Sequence, residues 1–139
     1  MSLVLDASVT LSWYLEDEST QATDAVMDGV AQSGALVPSL WRLEVANGLQ
    51  AAIRRKRIDT AYRDAAFIQL MRLPIAIDPE TDTHAWTTTV RLADRFQLIP
   101  YDAAYLELAH RERLPLASLD RKLRAAARAL GVELLGVAE

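Results

Sequence analysis

A chain of 139 residues, of which 51% are hydrophobic, can bury a substantial core, and its length predicts one domain rather than two. Charged residues make up 24% of the chain and the mean hydropathy is +0.05, values that argue against both a disordered polar chain and a membrane-embedded one. The sequence has no cysteine, which excludes disulfide scaffolds, thiolate zinc sites and cysteine nucleophiles. Any bound metal must therefore use oxygen or imidazole ligands.

The net charge of −4 conceals an uneven distribution. The first 41 residues contain six acids and no lysine or arginine, whereas the rest of the chain carries all 15 basic residues and 13 acids. The acidic average is therefore compatible with a local site for a polyanion. Segment 1–6 lacks the basic start, the long apolar stretch and the cleavage site of a secretory signal, which predicts a cytoplasmic protein with no membrane association.

Short β-like runs alternate with helix-like runs along the chain, which predicts parallel strands joined by helical crossovers. In chain order, the predicted strands are 3–5, 35–37, 75–77, 116–119 and 132–135. Apolar residues at the helical period predict helices from an N-cap at Ser19 to Gly34, and over 40–57, 59–71, 81–96, 102–113 and 120–130. The pattern predicts a three-layer α/β/α sandwich with a central parallel sheet.

Three acids, Asp6, Asp102 and Asp120, each follow the end of a predicted strand or extended segment. The carboxyl ends of parallel strands lie along one edge of a sheet, where ligands bind, so we expect these side chains to converge. The alternative is that each aspartate only caps the helix that follows it, as Asp59 is expected to do.

Glu44 lies on a face of a predicted helix that is otherwise largely apolar or small, with Leu40, Trp41, Asn47, Gly48 and Ala51 as neighbours. Burying a carboxylate is costly unless it is paired, protonated or bound to a cation. The position therefore predicts a partner for Glu44, either a cation shared with the aspartates or an arginine in an interior salt bridge.

If these four acids meet, their charges repel and raise some of their pKa values. A divalent cation relieves this repulsion, and carboxylates with water are the preferred ligands of Mg²⁺ or Mn²⁺. Such a cation also binds phosphate and activates water, which indicates phosphodiester hydrolysis.

Four segments of the chain resemble, in order and spacing, the motifs of PIN-domain ribonucleases, and most closely the VapC-type toxins of toxin–antitoxin pairs. These segments are Val4 to Ser8 (VLDAS), Trp41 to Asn47 (WRLEVAN), Tyr101 to Tyr105 (YDAAY) and Leu116 to Leu123 (LASLDRKL). The resemblance implies a single PIN domain over residues 1–139, with a PIN-like α/β/α fold. It further implies Mg²⁺- or Mn²⁺-dependent RNA cleavage, a homodimer and a small VapB-type antitoxin that blocks the site.

The resemblance also implies roles for individual residues. The acidic quartet, which holds the metal, is Asp6, Glu44, Asp102 and Asp120. Ser118 matches a hydroxyl position that supports the site or its water, while Ser8 and Asn47 match accessory positions. Some members have a fifth acid near the last motif, but here Arg121 and Lys122 follow Asp120, which leaves the number of metal ions open.

A metal-assisted reaction uses water as the nucleophile and leaves 5′-phosphate and 3′-hydroxyl ends. A metal-independent ribonuclease instead deprotonates the ribose 2′-hydroxyl, usually with histidines, and leaves a cyclic phosphate. The chain has only His84 and His110, both far in sequence from the strand-end acids, so we expect neither to be catalytic.

The densest basic run, Arg54-Arg55-Lys56-Arg57, falls at the predicted end of the helix that carries Glu44. It is a candidate for contacts with RNA phosphates. The alternative is a solvated helix end, because cations are favoured there by the helix dipole.

Two other classes of protein fit parts of the pattern. In a non-catalytic RNA- or protein-binding module, the same acids would only cap helices. A response-regulator-like receiver also places acids at strand ends, but it needs a lysine after a late strand, and the only lysines are Lys56 and Lys122.

Overall fold

A computed structural model of the chain describes residues 2–138. Five parallel strands form one sheet in the order β3-β2-β1-β4-β5. The central strand β1 pairs on one side with β2, where Val4 lies opposite Leu36, and on the other with β4, where Val4 lies opposite Leu116. The strands are β1 (Val4–Leu5), β2 (Ala35–Val37), β3 (Ile75–Ile77), β4 (Leu116–Ala117) and β5 (Leu134–Leu135).

Helices connect the strands and cover the sheet, which confirms the predicted three-layer α/β/α sandwich. A π-helical turn, Ala85–Thr89, joins α5 to α6 within the segment predicted as one continuous helix. The helices are α1 (Ala7–Ser12), α2 (Gln21–Ser33), α3 (Trp41–Arg54), α4 (Thr60–Met71), α5 (Thr81–His84), α6 (Val90–Phe96), α7 (Pro100–Glu112) and α8 (Arg121–Ala129).

The core lies around β1, β2 and β4, whose apolar side chains are buried as expected for a parallel sheet covered on both faces. Helix α7 contributes a continuous buried segment from Ala103 to Ala109. Near the far end of this helix, Arg111 donates hydrogen bonds to Asp78 (2.6 Å), directly after β3, and to Glu107 (2.8 Å). Both acids are buried, so this pairing satisfies their charges and fixes α7 against the sheet.

Several predicted boundaries were wrong. Thr20, rather than Ser19, caps α2, because its side chain accepts a hydrogen bond from Thr23 N–H in a reciprocal capping box. Helix α7 begins at Pro100, a residue favoured in the first turn, so Asp102 lies inside the helix and is not its cap. Helix α3 ends at Arg54 rather than at residue 57, and β4 ends two residues before Leu119.

The strand order also excludes the receiver alternative. Chain order along the sheet reverses between β1 and β4, giving 3-2-1-4-5, whereas receivers have the order 2-1-3-4-5. Ligands of open parallel sheets bind in the crevice at the carboxyl ends of the two strands where the order reverses. The residues that follow β1 and β4 are therefore the candidates for a ligand site.

Within residues 2–138, each helix is too short or too polar to cross a membrane.

Candidate active site

Asp6 lies directly after β1, at the point where the strand order reverses. Its side chain is only 6% exposed, and its Oδ2 atom accepts hydrogen bonds from the hydroxyls of Ser8 and Ser118, both at 2.7 Å. Burial raises the pKa of Asp6, the two serine hydroxyls oppose this, and the charge of Asp120 raises it further. Burial and the neighbouring charge therefore disfavour the charged form of the Asp6 carboxylate, whereas its hydrogen bonds favour that form.

The two serines bridge the ends of β1 and β4. Ser8 Oγ accepts a hydrogen bond from the backbone N–H of Leu119 (3.0 Å), and Ser118 Oγ accepts one from that of Asp120 (3.1 Å). Ser8 follows β1 and Ser118 follows β4. Each of their hydroxyls donates a hydrogen bond to Asp6 and accepts one from a backbone N–H of the loop after β4. This arrangement fixes the distance between the two acid-bearing segments.

Asp120 caps α8, since its Oδ1 atom accepts a hydrogen bond from Leu123 N–H at 2.8 Å. The capping interpretation is therefore correct for Asp120, but capping occupies only one of its oxygens. Asp6 stands before α1 and makes no capping bond through its side chain. Capping therefore accounts for Asp120 but not for Asp6 or for Asp102, which lies inside α7.

Glu44 extends from the first turn of α3 and is half-buried. Its Oε1 atom accepts a hydrogen bond from the hydroxyl of Tyr105 at 2.6 Å. The pKa of Glu44 is raised by burial and by the charge of Asp6, and lowered by Tyr105. An adjacent arginine would produce a net decrease instead, so the structure does not support the interior salt bridge considered from the sequence.

Sequence reasoning missed Tyr105. The available signal was its spacing: it lies three residues after Asp102, and residues three apart share one face of a helix. Both residues fall within the predicted helix 102–113, but aromatic residues usually pack in cores, so this spacing did not single out Tyr105.

Asp102 is partly exposed in the first turn of α7, and its pKa is raised to about 6. Burial is the largest cause, followed by the charges of Asp120, Asp6 and Glu44. Together with the hydrogen bonds of Asp6 to Ser118 and of Glu44 to Tyr105, these charge effects indicate that the four acids, which are far apart in sequence, lie near one another at the crevice where the strand order reverses. Exposure increases from buried Asp6, through half-buried Glu44 and Asp102, to exposed Asp120, so the crevice opens to solvent on the Asp120 side.

The carboxylates of this crevice are not arranged as a closed metal cage. Among residues 2–138, no group of three histidine or acidic side chains is close enough to form a ready-made ion site. The donor set nevertheless fits a hydrated divalent cation, because Mg²⁺ retains several waters and binds only one or two carboxylates directly. Burial is the largest cause of the raised pKa values of Asp6, Glu44 and Asp102, and a bound cation would lower them by favouring the charged carboxylates.

The other predicted residues lie outside this arrangement. Asn47 is exposed one turn after Glu44. Arg54 is the last residue of α3, and Arg55 and Lys56 are exposed in the turn that follows. Arg57 forms ion pairs with Asp17 and Glu18, so its charge is already partly balanced.

The family comparison agrees with this fold. The model of the PIN domain matches residues 3–129, and the chain therefore belongs to the PIN domain family, commonly a nuclease fold. Among solved structures, the chain is similar to the crystal structure of PAE2754 from Pyrobaculum aerophilum, with a TM-score of 0.69 and 23% identity. That match covers 96% of this chain and 89% of the other, and it shows a shared fold. No curated protein matches the chain.

The raised pKa of Asp102 leads to a prediction for the metal-free protein. The folded state holds this proton up to a pH of about 6, whereas the unfolded chain releases it near 3.8, so folding is penalised increasingly as pH rises through this interval. Asp102→Asn should therefore raise the free energy of unfolding above pH 6 and have little effect below 3.8. Urea unfolding on both sides of the interval, with a chelator present, measures the difference; a pH-independent difference would contradict the prediction.

Proposed function

We propose that the protein is a Mg²⁺- or Mn²⁺-dependent endoribonuclease that acts as the toxin of a toxin–antitoxin pair. The observation that carries the proposal is the convergence of Asp6, Glu44, Asp102 and Asp120 on one solvent-open crevice. Next to it, Arg121 and Lys122 are exposed at the start of α8, where their charges can attract RNA phosphates. The acids supply the chemistry, and the basic side chains supply attraction for a polyanion.

The proposed roles follow from exposure and contacts. The four carboxylates hold the cation, directly or through water, and Ser8 and Ser118 keep the Asp6 carboxylate oriented. When bound, the divalent cation neutralises phosphate charge and activates a water for in-line attack on phosphorus. Arg54 at the end of α3, and Arg55 and Lys56 in the turn that follows, are exposed basic side chains and are further candidates for contacts with RNA phosphates.

The proposal is tested by incubating the purified protein with total RNA in Mg²⁺, in Mn²⁺ and in EDTA. We expect cleavage with either cation, loss of cleavage in EDTA, and fragments with 5′-phosphate and 3′-hydroxyl ends. Cyclic phosphate ends or full activity in EDTA would contradict the metal-dependent reaction. Tight RNA binding without cleavage under all three conditions would instead support the non-catalytic module.

We also propose that the protein forms a homodimer through an apolar patch composed of Leu43, Trp86, Ile99 and Tyr101. These side chains are exposed, and Trp86 is 92% exposed. Trp86 and Tyr101 line the same shallow cavity of about 360 Å³, which also includes Leu40, one turn from Leu43. Exposed apolar patches of this kind mark interaction surfaces.

The patch predicts a specific change in oligomeric state. Trp86→Ser should convert the dimer to a monomer, because a large exposed aromatic residue is a typical interface anchor. Light scattering after size-exclusion chromatography measures the mass. Met71→Ser, at an exposed apolar residue of α4, is the matched control and should remain dimeric. A monomeric unsubstituted protein, or a dimeric Trp86→Ser, would refute this interface.

A small VapB-type antitoxin is the proposed protein partner. Expression of the toxin alone should arrest growth, and co-expression with the product of the adjacent gene should restore it. Co-purification of the two proteins and loss of RNA cleavage in the complex would support this pairing.

A further inference from the structure

Tyr105 joins α7 to α3 beside the four acids of the candidate site. Its side chain is fully buried on α7, and its hydroxyl donates a 2.6 Å hydrogen bond to Glu44 Oε1 on α3. This hydrogen bond ties the first turn of α3 to the buried part of α7 and fixes the orientation of the Glu44 carboxylate.

This contact engages one of the two Glu44 oxygens. Within residues 2–138, Oε1 takes the hydrogen bond from Tyr105, and Oε2 takes none. Asp120 follows the same pattern, because Oδ1 accepts the bond from Leu123 N–H. On Asp6, both serine hydroxyls meet on the single atom Oδ2. Glu44 and Asp120 thus each accept a hydrogen bond through one carboxylate oxygen, and the two serine hydroxyls on Asp6 also share one oxygen.

The number of oxygens that an acid can offer affects which cation it prefers. Mg²⁺ is small, requires octahedral geometry and binds few carboxylates, whereas Ca²⁺ accepts six to eight oxygens and commonly takes both oxygens of one carboxylate. A fixed donor on one oxygen uses one of the lone pairs of that oxygen and sets the orientation of the carboxylate, so the acid is less free to turn both oxygens toward one cation. Such a site disfavours Ca²⁺ more than it disfavours Mg²⁺ or Mn²⁺.

Building on the proposed function, we propose that Tyr105 is a positioning residue that restricts Glu44 to binding through one oxygen and thereby makes the site select Mg²⁺ or Mn²⁺ over Ca²⁺. Tyr105→Phe removes only the hydroxyl and releases Oε1. The binding of Mg²⁺, Mn²⁺ and Ca²⁺, each alone, is measured by calorimetry on the full chain without RNA. We expect the preference for Mg²⁺ over Ca²⁺ to fall about 10-fold, a typical effect of removing a group that orients a metal ligand.

Tyr62→Phe is the matched control, since Tyr62 lies on α4, is 45% exposed and donates its hydroxyl to the backbone carbonyl of Tyr14; the cation preference of this variant should not change. In a Glu44→Gln background, Tyr105→Phe should also leave the preference unchanged, because the carboxylate through which it acts is gone. A general structural effect of losing the hydroxyl would persist in that background and would overturn the proposal.

An unchanged Mg²⁺ to Ca²⁺ preference in folded Tyr105→Phe would overturn the proposal while leaving the nuclease function intact. Failure of the unsubstituted protein to bind any of the three cations would instead overturn the proposed function, and this inference with it. If Tyr105→Phe does not fold, infrared spectra of the unsubstituted protein provide the test, with the Glu44 stretches assigned by difference from Glu44→Gln. One-oxygen splitting of those stretches with bound cation supports the proposal, and two-oxygen splitting overturns it.

Discussion

Asp6→Asn is expected to reduce RNA cleavage by on the order of 10³-fold, because it removes the most buried charge of the acid cluster. The amide retains the shape of the side chain and can still accept hydrogen bonds from Ser8 and Ser118, so the fold should persist. Initial cleavage rates on a defined RNA at saturating Mg²⁺ measure the loss, and circular dichroism verifies the fold.

Asp94→Asn is the matched control for this substitution. Asp94 is exposed on α6, away from the ends of β1 and β4, and its replacement should leave the cleavage rate within about two-fold of the original, as for most surface changes. Retention of cleavage by a folded Asp6→Asn protein would exclude the crevice as the catalytic centre.

Binding of a divalent cation should stabilise the protein markedly, because it favours the charged forms of Asp6, Glu44 and Asp102, which burial and then mutual repulsion disfavour. At a free cation concentration about 100 times Kd, the stabilisation is about 2.7 kcal/mol, which corresponds to a rise in Tm of about 10 °C for a chain of this size. Thermal unfolding in Mg²⁺ or Mn²⁺, compared with EDTA at matched ionic strength, measures this shift.

The Asp6→Asn/Asp102→Asn double variant separates site binding from a general salt effect. It should have a higher Tm than the unsubstituted protein in EDTA, since two mutually repelling acids are gone, and it should respond little to the cations. An equal cation response in the double variant would indicate that the ions act elsewhere on the surface.

The fold was accessible from the sequence because each strand end and helix face has a local signal. Alternation of apolar runs indicated the parallel sheet, and the rule that its carboxyl ends share one edge placed Asp6 and Asp120 together. Glu44 was recognisable because an acid on a small, apolar helix face requires a partner. These inferences rely on periodicity and chain direction, which the sequence contains.

The remaining features depend on contacts between distant segments. The partner of Glu44 is Tyr105, 61 residues away, and the contact depends on how α3 and α7 pack. Arg57 similarly pairs with acids about 40 residues earlier, so its part in a basic run did not reveal its neighbours. Helix α1 was missed because six residues containing Val9 and Thr10 have little helical signal of their own.

The edge strand β5 carries none of the four acids, yet its hydrogen bonds hold Ser118 in place beside them. The carbonyl of Leu135 accepts hydrogen bonds from Ser118 N–H (3.3 Å) and from buried Arg124 (2.9 Å), which also binds the carbonyl of Ser118 (2.9 Å). The segment matched by the PIN model ends at residue 129, before this strand. A fragment trimmed to that boundary would keep every carboxylate but lose the brace behind Ser118, so a minimal nuclease designed from this chain has to extend through Leu135.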